Sequence, residues 1–117
     1  MGTSDRREVD ILRVTPDVAP DGGVVLHLAG ELDLSTVPMF VDAIDGLLDG
    51  EPIRIMLDMS KLTFVDSSGV GAYVTAFRRA QAKGSHLSIG ERSPLVQRVL
   101  QLSGVENALV RETAENG

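Results

Sequence analysis

The chain has no cysteine, no tryptophan, one tyrosine and three phenylalanines among its 117 residues. The missing cysteine excludes a disulfide framework, a thiolate zinc site and a thiol nucleophile together. The aromatic shortage leaves Phe40, Phe64, Phe77 and Tyr73, too few for a platform that stacks single-stranded nucleic acid. No apolar run approaches the roughly 18 residues needed to cross a bilayer. The first ten residues hold no apolar stretch of the secretory kind, so a cytoplasmic location and no membrane partner are expected. Bases are in the minority: 11 Lys and Arg face 17 Asp and Glu, a net charge of −6. The excess acid sits in residues 1–60, with 12 acids against 4 bases, whereas residues 61–117 carry 5 against 7. Such a chain repels a phosphate backbone, and no nucleic-acid partner is expected. Its one basic cluster, Arg78, Arg79 and Lys83, suits the C-terminus of a helix.

What is present is ordinary globular composition, 43% apolar and 24% charged, in a length that suits one domain. The polar ends, residues 1–8 and 112–117, read as flexible tails around a single domain over residues 9–111. Between them strand and helix signals alternate. Val9 to Val14 and Val24 to Ala29 read as strands joined by the Ala19-Pro20-Asp21-Gly22-Gly23 turn, and should pair antiparallel. Val37, Phe40, Val41, Ile44, Leu47 and Leu48 fall on one face of a helix that Ser35 or Thr36 can cap. Ile53 to Asp58 reads as a buried strand. A second helix starts at Ser67 or Ser68, with Val70, Tyr73, Val74 and Phe77 facing inward and Gly84 at its end. His86 to Ile89 is a short strand. Ser93-Pro94 starts a third helix with Leu95, Val96, Val99, Leu100 and Leu102 inward, Gly104 stops it, and Ala108 to Val110 gives a fifth strand. The order ββαβαβαβ predicts an α/β domain: a mixed, mostly parallel five-stranded sheet with amphipathic crossover helices.

Two strand-to-helix junctions carry the polar residues of interest. Leu62-Thr63-Phe64-Val65-Asp66-Ser67-Ser68-Gly69-Val70-Gly71 opens the second helix, where free backbone N–H groups and the helix dipole attract an anion. Its hydroxyls and glycines suit an anion site or a phosphoacceptor. Plain capping by Asp66 or Ser67, with glycines for close helix–sheet approach, explains the same residues. Gly71, in the first turn, is expected close to the other junction. That junction is Gly30-Glu31-Leu32-Asp33-Leu34-Ser35-Thr36. If its strand neighbours the next in parallel, both lie beyond strand C-termini at one sheet edge, with Asp33 and Asp66 flanking Ser67 and Ser68.

Catalytic patterns fail. No glycine stands two residues before Ser67 or Ser68, as a nucleophile elbow requires. Gly69-Val70-Gly71 lacks both the Lys of a phosphate-binding loop and the third glycine of a dinucleotide fingerprint. His27 and His86, the only imidazoles, fall inside strands and read as half-buried structural residues. No enzyme activity, cofactor or metal is expected.

The two junctions, together with Ser93-Pro94-Leu95-Val96-Gln97-Arg98-Val99-Leu100 and Ser103-Gly104-Val105, resemble the STAS domains of bacterial anti-sigma factor antagonists. The likeness spans roughly Val9 to Arg111, and Asp66-Ser67-Ser68-Gly69 is its most specific part. The resemblance implies a partner switch. An unphosphorylated antagonist, monomeric when free, binds an anti-sigma factor that is a GHKL-type serine kinase and so frees the sigma factor. The kinase phosphorylates the second serine, here Ser68, and a PP2C-type phosphatase reverses it. Asp33, Ser35, Thr36, Asp66, Ser67, Gly69 and Gly71 then form the phosphoacceptor pocket and partner surface. Ser67, next to Asp66, is the better candidate for capping, which leaves Ser68 available. Another role for such a domain is adaptor subunit of a lipid-transport ABC complex; a small serine hydrolase lacks a base near either serine.

Overall fold

The computed structural model describes residues 11–116, so the tail expected over residues 1–8 lies outside it, as do Val9 and Asp10. The elements run β1 (Arg13–Val18), β2 (Val24–Leu32), α1 (Val37–Leu48), β3 (Arg54–Val65), α2 (Ser67–Ala82), β4 (His86–Arg92), α3 (Pro94–Ser103) and α4 (Val105–Asn116). The strands form one sheet in the order β1-β2-β3-β4. The first pair is antiparallel, and β2-β3 and β3-β4 are parallel, as the alternation of strands and helices dictates.

Alternation within the strands decides which face is covered. Leu26, Leu28, Ile55, Leu57, Met59, Leu62 and Leu87 are buried and join one core with Phe40, Ile44 and Leu48 of α1, Tyr73 of α2, and Val96 and Leu100 of α3. The intervening residues His27, Arg54, Met56, Asp58, His86 and Ser88 are half-buried or exposed. The helices therefore cover one face of the sheet and leave the other open.

α2 approaches the sheet through small residues: Gly69, Ala72, Ala76 and Ala80 are buried beside Tyr73, whereas Val70, Val74 and Phe77 are half-buried at the margin. The expected inner face holds at Tyr73, with Val74 and Phe77 packed against the core, and the small residues beside it make the closest approach.

Four expectations are corrected. Among the described residues the sheet has four strands, because Ala108 to Val110 belongs to α4, which Leu109 pins into the core. That helix runs from Val105 through Asn116. β1 lies later than Val9 to Val14 and includes Pro16, which an edge strand tolerates. In α3 only Val96 and Leu100 are buried; Leu95 and Leu102 are 41% and 82% exposed. His27 is half-buried as expected, but His86 is exposed at the start of edge strand β4.

Local caps explain where the helices begin and stop. Ser93 accepts a hydrogen bond from the Val96 amide at 3.3 Å, and Pro94 occupies the first turn. Gly104 takes the left-handed conformation (φ 66°) that ends α3.

Candidate functional site

The register of β2 on β3 sets the two junctions side by side. Leu32 pairs with Val65, and the Asp66 amide donates to the Leu32 carbonyl at 3.3 Å. Both chains then turn into helices beyond the strand C-termini, the position where open α/β sheets place ligands. α3 starts at the same end, tied down by Ser93, whose hydroxyl donates to the Leu62 carbonyl at 3.0 Å.

Asp66 is the N-cap of α2, its Oδ1 accepting from the Gly69 amide at 3.0 Å. The expectation that Ser67 caps is therefore overturned: Asp66 precedes the helix in extended backbone (ψ −174°), which aims its carboxylate back at the first turn. Ser67 is exposed and Ser68 half-buried. Among the described residues neither hydroxyl has a hydrogen-bond partner, nor do the Ser67 and Ser68 amides. Two free hydroxyls and two free amides at a helix N-terminus form a surface that attracts an anion.

Gly69 rather than Gly71 is the close approach. A β-carbon on Gly69 would stand 2.6 Å from the Leu32 carbonyl oxygen, whereas one on Gly71 would meet nothing within 4 Å. Gly71 is exposed, because two residues along a helix rotate the side-chain direction by about 200°.

Asp33 organises its own turn. Its Oδ1 accepts from the Ser35 hydroxyl at 2.8 Å, the Ser35 amide at 3.0 Å and the Thr36 amide at 3.2 Å. The Ser35 hydroxyl chiefly holds this carboxyl below the usual carboxylate range; slight burial opposes it, and the two amides add to it. Thr36, buried at 6% exposure, donates from its hydroxyl to the Glu31 carbonyl at 2.8 Å. Thr36 holds the N-cap position of α1 without a side-chain cap bond, so neither it nor Ser35 caps in the expected way.

The structure also brings to this end of the molecule apolar residues to which sequence reasoning gave no role. Leu34 is 75% exposed in the Asp33 turn, and Phe64, two residues before Asp66, is 44% exposed. Leu95, exposed rather than inward, joins them in the first turn of α3. The signal was available for Leu34, an apolar side chain inside a polar turn. Large exposed apolar residues beside polar ones mark interaction surfaces.

The family model described as Mlab, STAS domain, matches residues 17–111. The chain belongs to the STAS domain family. It is 31% identical over 85 residues to the anti-sigma F factor antagonist of Paenibacillus polymyxa, covering 72% of this chain and 73% of that protein. It is 26% identical over 90 residues to the anti-sigma-B factor antagonist of Listeria monocytogenes, covering 77% and 79%. Among solved structures, the anti-sigma factor antagonist SpoIIAA in its unphosphorylated form superposes with a TM-score of 0.66 at 27% identity, over 87% of this chain and 97% of that one. The Bacillus SpoIIAA in the phosphorylated form gives 0.61 at 27% identity, over 85% and 98%. These STAS relatives are named as antagonists of regulatory factors, not as catalysts.

Proposed function

We propose that this STAS domain is an anti-sigma factor antagonist, switched off by phosphorylation of Ser68. The observation that carries the reading is the unpartnered Ser68 hydroxyl beside its capping neighbour Asp66, at the first turn of α2. The names of the relatives, and a neighbour solved in unphosphorylated and phosphorylated forms, support it. In this reading the unmodified protein, monomeric and cytoplasmic, binds an anti-sigma factor that is also a GHKL-type serine kinase. Leu34, Phe64 and Leu95 supply apolar contact around the polar centre of Asp33, Ser35, Thr36, Asp66, Ser67, Gly69 and Gly71. A PP2C-type phosphatase resets the switch.

The electrostatics suffice for a local switch. A phosphoserine carries about −1.5 to −2 charges. Facing one partner carboxylate at about 6 Å with an effective dielectric near 20, each unit of charge costs roughly 3 kcal/mol. That is about a hundredfold in affinity. On the protein's own side the free Ser67 and Ser68 amides receive the phosphate, so modification weakens the partner's docking without opening the fold.

Affinity capture with the unmodified protein, followed by mass spectrometry, tests the reading. Recovery of a serine kinase that also binds a sigma factor is the expected result. A second reading for a domain of this family is the adaptor subunit of a lipid-transport ABC complex. Recovery of a nucleotide-binding transporter subunit instead would establish that role.

A further inference from the structure

Away from the Ser68 end, α2 and α4 flank edge strand β4 and leave a half-open hollow of about 450 Å³. Tyr73 and Phe77 of α2, Leu87 and Ile89 of β4, and Leu109 and Val110 of α4 line most of it. The aromatic pair stands with ring centroids 6.3 Å apart and planes tilted by 60°. This is the size and character of a small-molecule pocket, mostly apolar with few polar groups.

One of those polar groups is conspicuously idle. Tyr73 is only 4% exposed, yet among the described residues its hydroxyl makes no hydrogen bond. Every side-chain oxygen sealed off among the described residues has a partner. The Tyr73 oxygen, having none, therefore opens into the hollow that it lines. Facing that opening, the hydroxyl can donate to water or to a ligand oxygen that takes the water's place. Burial pushes its pKa up to about 12, with Glu106 adding to the effect and Arg92 opposing it, so the hydroxyl remains a neutral donor.

Charge at the wall narrows the class of ligand. Glu106 lines the hollow, and its one cationic partner, Arg92, is engaged with it at 2.6 Å and with the Ile89 and Gly90 carbonyls. The described lining residues include no Lys or Arg and one imidazole, His86, and an incoming carboxylate meets the Glu106 charge. An uncharged molecule with an apolar body and a carbonyl, ether or hydroxyl oxygen fits on both counts.

We propose that the hollow between α2, β4 and α4 binds a small, uncharged, largely apolar molecule whose oxygen accepts a hydrogen bond from Tyr73. The site is independent of the reading of Ser68, although both lie on α2. Among the described residues, buried Leu109 and the Arg92–Glu106 pair hold the α4 wall in place.

The probe is 4-phenylbutan-2-one, a neutral ketone, with 4-phenylbutanoate as its charged counterpart. Each is titrated at millimolar concentration into the full chain and followed by methyl and amide NMR. The ketone is expected to shift Leu87, Ile89 and Leu109 saturably and leave Ser67 and Ser68 unmoved. Tyr73→Phe, which keeps the ring and the fold, should weaken it about three- to tenfold. Val110→Phe, at a position 68% exposed and therefore tolerant of bulk, should weaken it by narrowing the mouth. The carboxylate should bind at least about tenfold more weakly, the factor that corresponds to about 1.4 kcal/mol. Absence of saturable shifts, an unchanged affinity in both variants, or equal binding of the carboxylate would overturn the proposal.

Discussion

Gly69 lies against the carbonyl of Leu32, so closely that an added β-carbon would stand 2.6 Å from its oxygen and 2.8 Å from Val65 Cγ2. This contact joins the first turn of α2 to the end of β2, and so fixes the distance between the two junctions. Backbone cannot yield as a flexible side chain does.

Gly69→Ala should therefore destabilise the domain by about 3 kcal/mol, the upper end of overpacking costs. Gly71→Ala should instead be neutral or stabilising by up to about 1 kcal/mol, since it relieves helix entropy in open space. Urea unfolding of the two variants measures the contrast. Equal effects would mean that α2 does not meet β2 as described.

The contrast also shows what the sequence made legible. Asp66, Ser93, Pro94 and Gly104 are local signals, and the helix ends that they mark fall where expected. Which of two glycines faces the sheet depends on the rotation of α2, and that is set by Leu32 across the fold. Ala108-Leu109-Val110 is an apolar triplet too short for its periodicity to separate strand from helix. Packing of Leu109 decides it. The polar residues of the candidate site were legible because capping needs particular side chains at particular spacing. Phe64 and Leu95 were not, because an apolar residue is assigned to a core unless the fold leaves it outside.

On the open sheet face, Asp58 should govern part of the response to acid. Its Oδ2 bonds His27 Nδ1 at 2.7 Å, and its Oδ1 accepts from the Ser60 hydroxyl at 2.7 Å and the Ser60 amide at 3.0 Å. Burial pushes its pKa up, but Ser60 and His27 outweigh this and hold it below the usual 3.8. A carboxylate with a lowered folded-state pKa stabilises the fold above its unfolded value, and the gain is lost as pH falls through the folded one. Asp58→Asn should therefore destabilise at neutral pH, and the gap to the parent should close below about pH 4. Denaturant midpoints across that range provide the measurement; a gap that persists in acid would mean that shape rather than charge is lost.

The exposed apolar residues at the junction end make a separate prediction about partner binding. Leu34→Ala and Phe64→Ala remove contact area that is 75% and 44% exposed in the free protein. Each should leave thermal stability within about 0.5 kcal/mol, as expected of surface changes. Each should weaken capture of the anti-sigma factor by about tenfold or more, in line with central apolar anchors of interfaces. A control at Leu102, 82% exposed near the far end of α3, should change neither. Equal losses at all three positions would indicate nonspecific adhesion.

Ser68 against Ser67 is the sharpest distinction. Because Asp66 supplies the cap, both hydroxyls are without a partner among the described residues, and position on the helix rather than capping separates them. Ser67 is exposed and Ser68 half-buried; in the proposed switch a phosphate on Ser68 would lie between the helix amides and the partner's docking surface. Ser68→Ala should therefore bind the kinase continuously and resist modification. Ser67→Ala should remain a substrate. Ser68→Asp should bind more weakly than the parent, though less so than the phosphoprotein, because one carboxylate carries about half the charge of a phosphate. Phosphopeptide mapping after incubation with the anti-sigma factor kinase and ATP reads the outcome directly. Phosphate confined to Ser67, with Ser68→Ala still modified at the parent rate, would transfer the switch to the exposed serine. The electrostatic argument would survive that result, since both amides lie in the same turn, but the half-buried geometry would no longer select the acceptor.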